Sequence, residues 1–368
     1  MRILILNYRD RTHPLAGGAE VHLHRIFQNL VAKGHEVILW TTHYKGAKKE
    51  EWIHGIHVIR KGGDIGFAFH VAFGLRKMIR KMKPDILFED LNKLPFYSPI
   101  LVPNFPKVIQ LHHLWGFSIF KEACFPIAFL VWLHEQMIPI LYKKEKFAVV
   151  SPSTFYELNH MGIPKSQIVV IYNGIEEEWI DLENSKVKDD YYLWLGRLRK
   201  YKGVWIALKA FELYHRKGLP GKLVFAGDGP ERKAMERWVR KQGLENSVVI
   251  LGSVDHDKKK QLLRNALALI QTSFKEGWGL TVVEAVVCGT TTIASRVAGL
   301  QDSVNHGETG ILVDRGNVAG FAEAMERMQK SPELRKKLEL RAKSWVTRFS
   351  WEKAAHETLH LLHTVHKE

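Results

Sequence analysis

Short apolar runs alternate with longer amphipathic stretches from one end of the chain to the other. That alternation is the pattern of repeated βα units, and it commits the chain to an α/β architecture with mostly parallel sheets. Apolar runs at 3–7, 37–41, 57–60, 86–89, 108–112, 148–151 and 168–171 predict one set of strands, with helices between them. Runs at 192–195, 223–226, 248–251, 267–271, 292–295 and 310–313 predict a second complete set. At roughly 150 residues per domain, 368 residues and two strand sets mean two doubly wound, Rossmann-like domains. The stretch 176–190 is acidic, polar and aperiodic, so it reads as the linker and places the domains at 1–175 and 176–350. Ser350 then stands as the N-cap of an apolar-periodic helix through Ala355, Leu359, Leu362 and Val365, within 351–368.

Composition narrows the class of function. With 46% apolar and 25% charged residues the chain is neither disordered, collagenous nor a coiled coil. Its formal charge of +15, from 54 Lys and Arg against 39 Asp and Glu, points to a polyanionic partner: nucleic acid, an anionic membrane or a phosphorylated substrate. The excess is not confined to one tail, since residues 1–175 hold 22 basic and 13 acidic side chains. Cys124 and Cys288 lie far apart with no second thiol near either, which leaves no disulfide framework or zinc site and favours a reducing, cytoplasmic setting. The N-terminal apolar run is too short for an export signal and is shaped like a buried first strand. The longest apolar stretch, 124–133, falls well short of the roughly 20 residues a membrane span needs.

Two doubly wound domains joined by a hinge are expected to face each other across a cleft, with ligands outside the carboxyl ends of the strands. Fold does not choose a reaction, so residues must. The most informative stretch is Glu276-Gly277-Trp278-Gly279-Leu280-Thr281-Val282-Val283-Glu284-Ala285. Gly277 and Gly279 let a ligand approach the backbone, and the amides of Leu280 and Thr281 at a helix start form a site for a diphosphate. Glu276 in the loop can accept from sugar hydroxyls, and Glu284 within the helix can accept from a ribose. A solvated carboxylate pair is an equally ordinary reading of these two alone.

A second cluster, Gly196-Arg197-Leu198-Arg199-Lys200-Tyr201-Lys202-Gly203, follows directly on a predicted strand. Arg197 and Lys202 can neutralise a departing diphosphate, whereas Arg199 and Lys200 read as plain surface charge. Gly227-Asp228-Gly229-Pro230 reads as a tight turn into a helix. Gly17 and Gly18, at the first βα junction, again offer bare amides at a helix start. The spacing there is not the dinucleotide fingerprint and no Walker A motif occurs, so nicotinamide and P-loop chemistry lose support.

These four elements, in this order and over nearly the whole chain, resemble glycosyltransferase family 4, the retaining enzymes of GT-B fold. Val150-Ser151-Pro152-Ser153-Thr154, Ile171-Tyr172-Asn173-Gly174-Ile175 and Asn305-His306-Gly307-Glu308-Thr309-Gly310 add to the likeness. The resemblance implies a nucleotide sugar, UDP- or GDP-linked, as substrate, with no cofactor. It implies that Arg197 and Lys202 hold the donor diphosphate, Glu284 the ribose and Glu276 the transferred sugar. It also implies that the last helix crosses back onto the first domain. A histidine beside the reacting sugar is implied at His112, with His113 as the alternative where the family often has His-Asp. With 19 histidines in the chain, packing against backbone is the default reading for most of them.

The expected activity is a retaining, metal-independent hexosyltransferase acting on a glycan or lipid-linked acceptor held by the first domain. Asp255-His256-Asp257 is formally a D-x-D, but a helix N-cap is the simpler reading, so no metal is expected. Two basic and aromatic stretches, 65–83 and 124–142, are the segments that can meet an anionic membrane surface, which would put the enzyme on the inner face of the cell membrane. For the first, ordinary packing of most of its apolar face is the expectation, and the second is the better surface. A nucleotide-sugar epimerase of the same fold is the enzymatic alternative, and a basic nucleic-acid-binding protein the non-enzymatic one. No recognised nucleic-acid module supports the latter.

Overall fold

Strands buried on both faces read as apolar runs, as β1 (Arg2–Leu6) does at the centre of the first sheet, while its neighbour β5 (Ile86–Leu91) is as fully buried but carries Glu89 and Asp90 after Ile86-Leu87-Phe88. The computed structural model describes residues 1–63, 66–91, 94–175, 179 and 188–367, so most of the expected linker 176–190 lies outside the described residues. The chain divides into two units. Unit 1 comprises Met1–Ile119, Cys124–Gly174 and Phe349–Glu368, and unit 2 comprises Phe120–Ala123 and Ile175–Arg348.

Unit 1 runs β1, α1 (Gly18–Ala32), β2 (Glu36–Thr41), β3 (Glu50–Ile53), β4 (Ile56–Arg60), α2 (Phe67–Met82), β5, α3 (Ser98–Leu101), β6 (Lys107–Leu111), α4 (Phe125–Leu141), β7 (Lys146–Val149), α5 (Pro152–His160) and β8 (Ile168–Val170). Its sheet has the order β3-β4-β2-β1-β5-β6-β7-β8, parallel except at the β3 edge. The apolar positions Leu23, Ile26, Phe27 and Leu30 form the buried stripe of α1 at helical spacing. Sequence pattern missed β3, whose residues Glu50-Glu51-Trp52-Ile53 open with two charges and are exposed or half exposed throughout. Its signal was the turn, since His54 and Gly55 both take positive φ, 48° and 76°, as a two-residue hairpin loop requires.

Unit 2 runs β9 (Tyr191–Leu195), α6 (Val204–Arg216), β10 (Lys222–Ala226), α7 (Arg232–Lys241), β11 (Val248–Gly252), α8 (His256–Asn265), β12 (Ala268–Gln271), α9 (Leu280–Val287), β13 (Thr292–Arg296), α10 (Leu300–Ser303), β14 (Gly310–Asp314), α11 (Val318–Lys330) and α12 (Pro332–Val346). The wholly parallel sheet has the order β11-β10-β9-β12-β13-β14. The order in which successive strands are added reverses between β9 and β12, and that is the switch point where a crevice opens beyond the strand ends. In unit 1 the corresponding reversal lies between β1 and β5.

The last helix, α13 (Trp351–Lys367), belongs to unit 1 and packs on α1. Ser350 caps it, its Oγ accepting the Lys353 N–H at 3.0 Å. Gly174 lies so close to the start of this helix that a Cβ there would stand 2.2 Å from the Trp351 nitrogen.

Candidate functional site

In unit 2 the two sequence clusters flank the switch point. The loop after β9 carries Gly196 to Gly203, and the loop after β12 carries Thr272 to Gly279. Backbone bonds knit them together. The Thr272 hydroxyl donates to the Gly203 carbonyl at 2.8 Å, and the Phe274 N–H to the Tyr201 carbonyl at 2.7 Å. Gly203 has φ +71°, and a Cβ there would lie 2.0 Å from the Thr272 carbonyl oxygen, so glycine is required on both counts.

This joint brings Lys202 and Glu276 together, Nζ to Oε1 at 2.5 Å, with side chains only 19% and 15% exposed. The Ser273 hydroxyl donates to the same oxygen at 2.8 Å. Burial alone would lower the Lys202 ammonium, but Glu276 beside it outweighs burial and holds it above the ordinary lysine range. Arg197 lies half-buried in the same loop, just before the 3₁₀ turn Lys200–Lys202. Asp228 closes its turn by accepting the Gly229 N–H at 2.7 Å, and it pairs with Arg232 at 3.0 Å.

Gly279 caps α9 with φ 85°, so the amides of Leu280 and Thr281 begin the helix without an intrahelical acceptor. Gln271, at the end of β12, ties this helix start down by donating to the Thr281 hydroxyl at 2.6 Å and to the Leu195 carbonyl at 2.9 Å. Glu284 follows on α9. Its Oε1 meets Lys259 Nζ of α8 at 2.5 Å, while its buried Oε2 has no hydrogen-bond partner among the described residues. The Lys259 ammonium also lies over the Trp179 ring, 5.1 Å from its centroid, and the Trp179 indole donates to His256 Nε2 at 2.9 Å.

Sequence reasoning missed Lys259, Trp179 and Gly299. Gly299, in the loop after β13, approaches the 276–277 backbone so closely that a Cβ would lie 2.5 Å from the Glu276 carbonyl oxygen. Lys259 was lost in the run Lys258-Lys259-Lys260, which looks like surface charge. Asp255 N-caps α8 by accepting the Lys258 N–H at 2.8 Å, and no group of three or more metal-ligating side chains occurs among the described residues.

In unit 1 the polar residues gather from distant segments. His112 follows the end of β6, is 8% exposed, and its Nε2 lies 3.2 Å from Oδ1 of Asp90 on β5. Burial would depress this imidazole, but the adjacent Asp90 carboxylate prevails and raises it above the ordinary histidine value. The His22 ring of α1 stands 5.0 Å from the His112 ring at 87°, and its Nδ1 hydrogen-bonds the Asn173 side chain. Burial, helped by His112, pushes His22 down to about 3. Trp351 of α13 also packs against His22, with ring centroids 6.1 Å apart.

His113 is half-buried and its ring meets Trp115 at 5.2 Å. Of the two adjacent histidines, His112 is therefore the one in the cluster with Asp90 and His22. One expectation fails here. The Gly17 amide is not bare, because the Glu20 carboxylate of the same helix turn accepts its N–H at 2.6 Å. Gly18 stands one residue further, at the first position of α1.

Two parallel α/β sheets of this order, with charged loops at the β9/β12 switch point, define the GT-B class of architecture. Residues 175–345 match the family described as glycosyl transferases group 1, and residues 16–179 the one described as glycosyltransferase family 4. An uncharacterised glycosyltransferase of Methanocaldococcus jannaschii is 31% identical over 353 residues, covering 93% of each chain. Among solved structures, the sucrose-phosphate synthase of Thermosynechococcus elongatus superposes with TM-score 0.82 at 20% identity over 99% of this chain and 98% of that one. Anabaena HepE in complex with UDP-glucose gives 0.79 at 19% identity over 99% and 100%. The chain belongs to glycosyltransferase family 4 and has the GT-B fold.

Proposed function

We propose that the chain transfers a sugar from a nucleoside diphosphate sugar, UDP- or GDP-linked, to a glycan or lipid-linked acceptor with retention of anomeric configuration. The observation that carries this reading is the pair of lysine-held carboxylates flanking the switch point of unit 2, Glu276 with Lys202 and Glu284 with Lys259. The binding of UDP-glucose by a protein of the same fold supports the donor class.

In this reading the diphosphate lies against the amides of Leu280 and Thr281, and Lys202 and Arg197 neutralise the charge that builds as the glycosidic C–O bond breaks. Gly277 and Gly279 allow that approach because no side chain stands in the way. Glu284 accepts from the ribose hydroxyls through Oε2, the oxygen that Lys259 leaves unengaged. Glu276, already an acceptor for Lys202 and Ser273, orients the hydroxyls of the transferred sugar. Gly17 and Gly18 are assigned to the donor through the backbone at the start of α1 other than the Gly17 amide, which Glu20 already occupies. Acceptor recognition falls to unit 1, where His112 is the group assigned to the reacting sugar. The oxocarbenium-like transition state is stabilised by position and charge rather than by a protein nucleophile, and the departing phosphate takes the acceptor proton. The cations that stabilise the leaving group are side chains of the chain, so the reading is metal-independent. It places the enzyme in the cytoplasm, at the inner face of the cell membrane.

The test is a transfer reaction with UDP- and GDP-sugars and an acceptor extract, read as nucleoside diphosphate release and as the anomeric proton coupling of the product. Acceptor-dependent release with the donor's anomeric configuration is expected. An inverted product, or free sugar released equally without acceptor, contradicts the proposal.

A further inference from the structure

We infer that the outward surface of α2 and α4 in unit 1 docks on an anionic lipid bilayer. This surface shares no residue with the donor cluster of unit 2; the inference deepens the membrane placement proposed above, and its test does not depend on the transfer reaction.

The 17-residue helix α4 contains no Lys, Arg or Asp, and its single acid, Glu135, is buried and accepts the backbone N–H groups of Trp115 and Gly116 at 2.6 and 2.8 Å. Ala128 and Ile138 bury its inner side. The outer side of a soluble helix ordinarily carries charge. Here it shows Phe125 (70% exposed), Phe129 (44%), Leu133 (41%) and Ile140 (68%). At the pitch of an α-helix these four fall within roughly 80° of one another and form one apolar strip, which Leu130 (48%) and Ile127 (56%) widen around the helix.

Helix α2 presents a second face of different composition. It buries Phe67, Val71 and Leu75 but exposes Phe69 (64%) and Phe73 (87%). Arg76, Lys77 and Arg80 continue that face at helical spacing, and the helix has no acidic residue. The two helices cover the same side of the sheet. Leu87 packs in the cluster that holds Phe67, Val71 and Leu75, Leu91 packs in the cluster that holds Ile138, and residues four apart on β5 point the same way. The sequence expectation of ordinary packing therefore holds for the inner face of α2, with Phe67, and not for Phe69 and Phe73.

A bilayer surface answers both faces. Phenylalanine and leucine side chains enter the boundary between headgroups and acyl chains while arginine and lysine pair with lipid phosphates. At about 25 Å, α4 is shorter than the hydrocarbon core, and its inner side is sealed against unit 1, so it lies in the interface rather than across it. No helix among the described residues is long and apolar enough to cross a membrane. An acidic protein would match the charges of α2 but not the uncharged strip of α4. The basic excess of the first 175 residues, 22 against 13, adds attraction to an anionic leaflet.

The test is flotation of the full chain with vesicles of phosphatidylcholine alone and of phosphatidylcholine with phosphatidylglycerol in equal parts, at low and high salt. Binding to the mixed vesicles that weakens with salt is expected, with a fall of about tenfold or more in partitioning for Phe73→Ser/Phe129→Ser and about fivefold for Arg76→Gln. All three positions are solvent-facing, so unchanged melting of the variants separates lost docking from lost folding. Absence of flotation with mixed vesicles at low salt overturns the inference, as does undiminished binding by the double variant. A dimer in solution that dissociates on Phe73→Ser/Phe129→Ser also overturns it, because the surface would then belong to a second copy.

Discussion

The two units solve the same problem at the carboxyl ends of parallel strands with different chemistry. Unit 2 uses short loops and full charges, placing Lys202 against Glu276 and Lys259 against Glu284 around the start of α9. Unit 1 uses buried imidazoles, with His112 held by Asp90 and His22 held by Asn173. Formal charge suits a diphosphate leaving group, whereas neutral and singly protonated rings suit hydroxyl recognition. The contrast predicts that removing charge in unit 2 costs catalysis, and that changing pH disturbs unit 1 first.

The largest expected effect is on turnover. Glu276→Ala and Glu284→Ala should each lower kcat/KM by roughly 10²–10³-fold, while His113→Ala, outside the His112 cluster, should change it by less than about threefold. Equal losses in all three would erase the distinction drawn between His113 and the two carboxylates.

Next comes a test of the joint that holds the unit 2 loops. Gly203 and Gly218 share φ +71°, but a Cβ on Gly203 meets the Thr272 carbonyl oxygen at 2.0 Å whereas Gly218 has nothing within 4 Å. Gly203→Ala should cost about 3 kcal/mol or more and Gly218→Ala about 1 kcal/mol, measured by denaturant unfolding. Similar costs would mean that backbone conformation alone, and not the close approach of the loops, fixes Gly203.

The pH prediction concerns unit 1. The folded pKa of His22, about 3, lies below its unfolded value, so as pH falls below about 6.5 the unfolded chain binds a proton that the folded one does not. Stability should therefore decline toward acid by up to about 1.4 kcal/mol per pH unit from this group. His112 has the opposite sign: its raised pKa contributes stability below the unfolded value, and that contribution is lost as pH rises through the folded value. In denaturant titrations at several pH values, His22→Gln should flatten the acid limb and His112→Gln should steepen it. The smallest effect expected is that of Lys259→Met, a loss of about tenfold in donor affinity with kcat little changed, because Lys259 positions Glu284 rather than touching the donor. A fall in kcat alone would move Lys259 into the chemistry.

The same contrast explains what sequence could show. In unit 2 each half of the site sits within a single βα junction, so Arg197 to Gly203 and Glu276 to Glu284 are local strings and stand out in one dimension. In unit 1 the cluster draws His22, Asp90, His112, Asn173 and Trp351 from five separate segments; Asn173 and Trp351 lay in stretches noted for other reasons, and His112 alone was given a role at the site. Both parallel sheets were legible because buried strands are continuous apolar runs, while the β3 edge, half exposed and charged, was not. Gly299 escaped, and Gly227 was read only as part of a turn, because the constraint on each is the backbone of another loop. A Cβ on Gly227 would lie 1.8 Å from the Gly196 carbonyl oxygen, a contact absent from any local pattern.

The most direct test of the central claim, that the charged switch point of unit 2 binds a nucleoside diphosphate, is the thermal shift produced by UDP, GDP, ADP and dTDP on the wild type and on Glu284→Gln. One diphosphate should stabilise the wild type, by about 2.7 kcal/mol at 100 times its Kd, and the variant should lose most of that gain. No stabilisation by any of the four, or an undiminished shift in Glu284→Gln, would contradict the assignment.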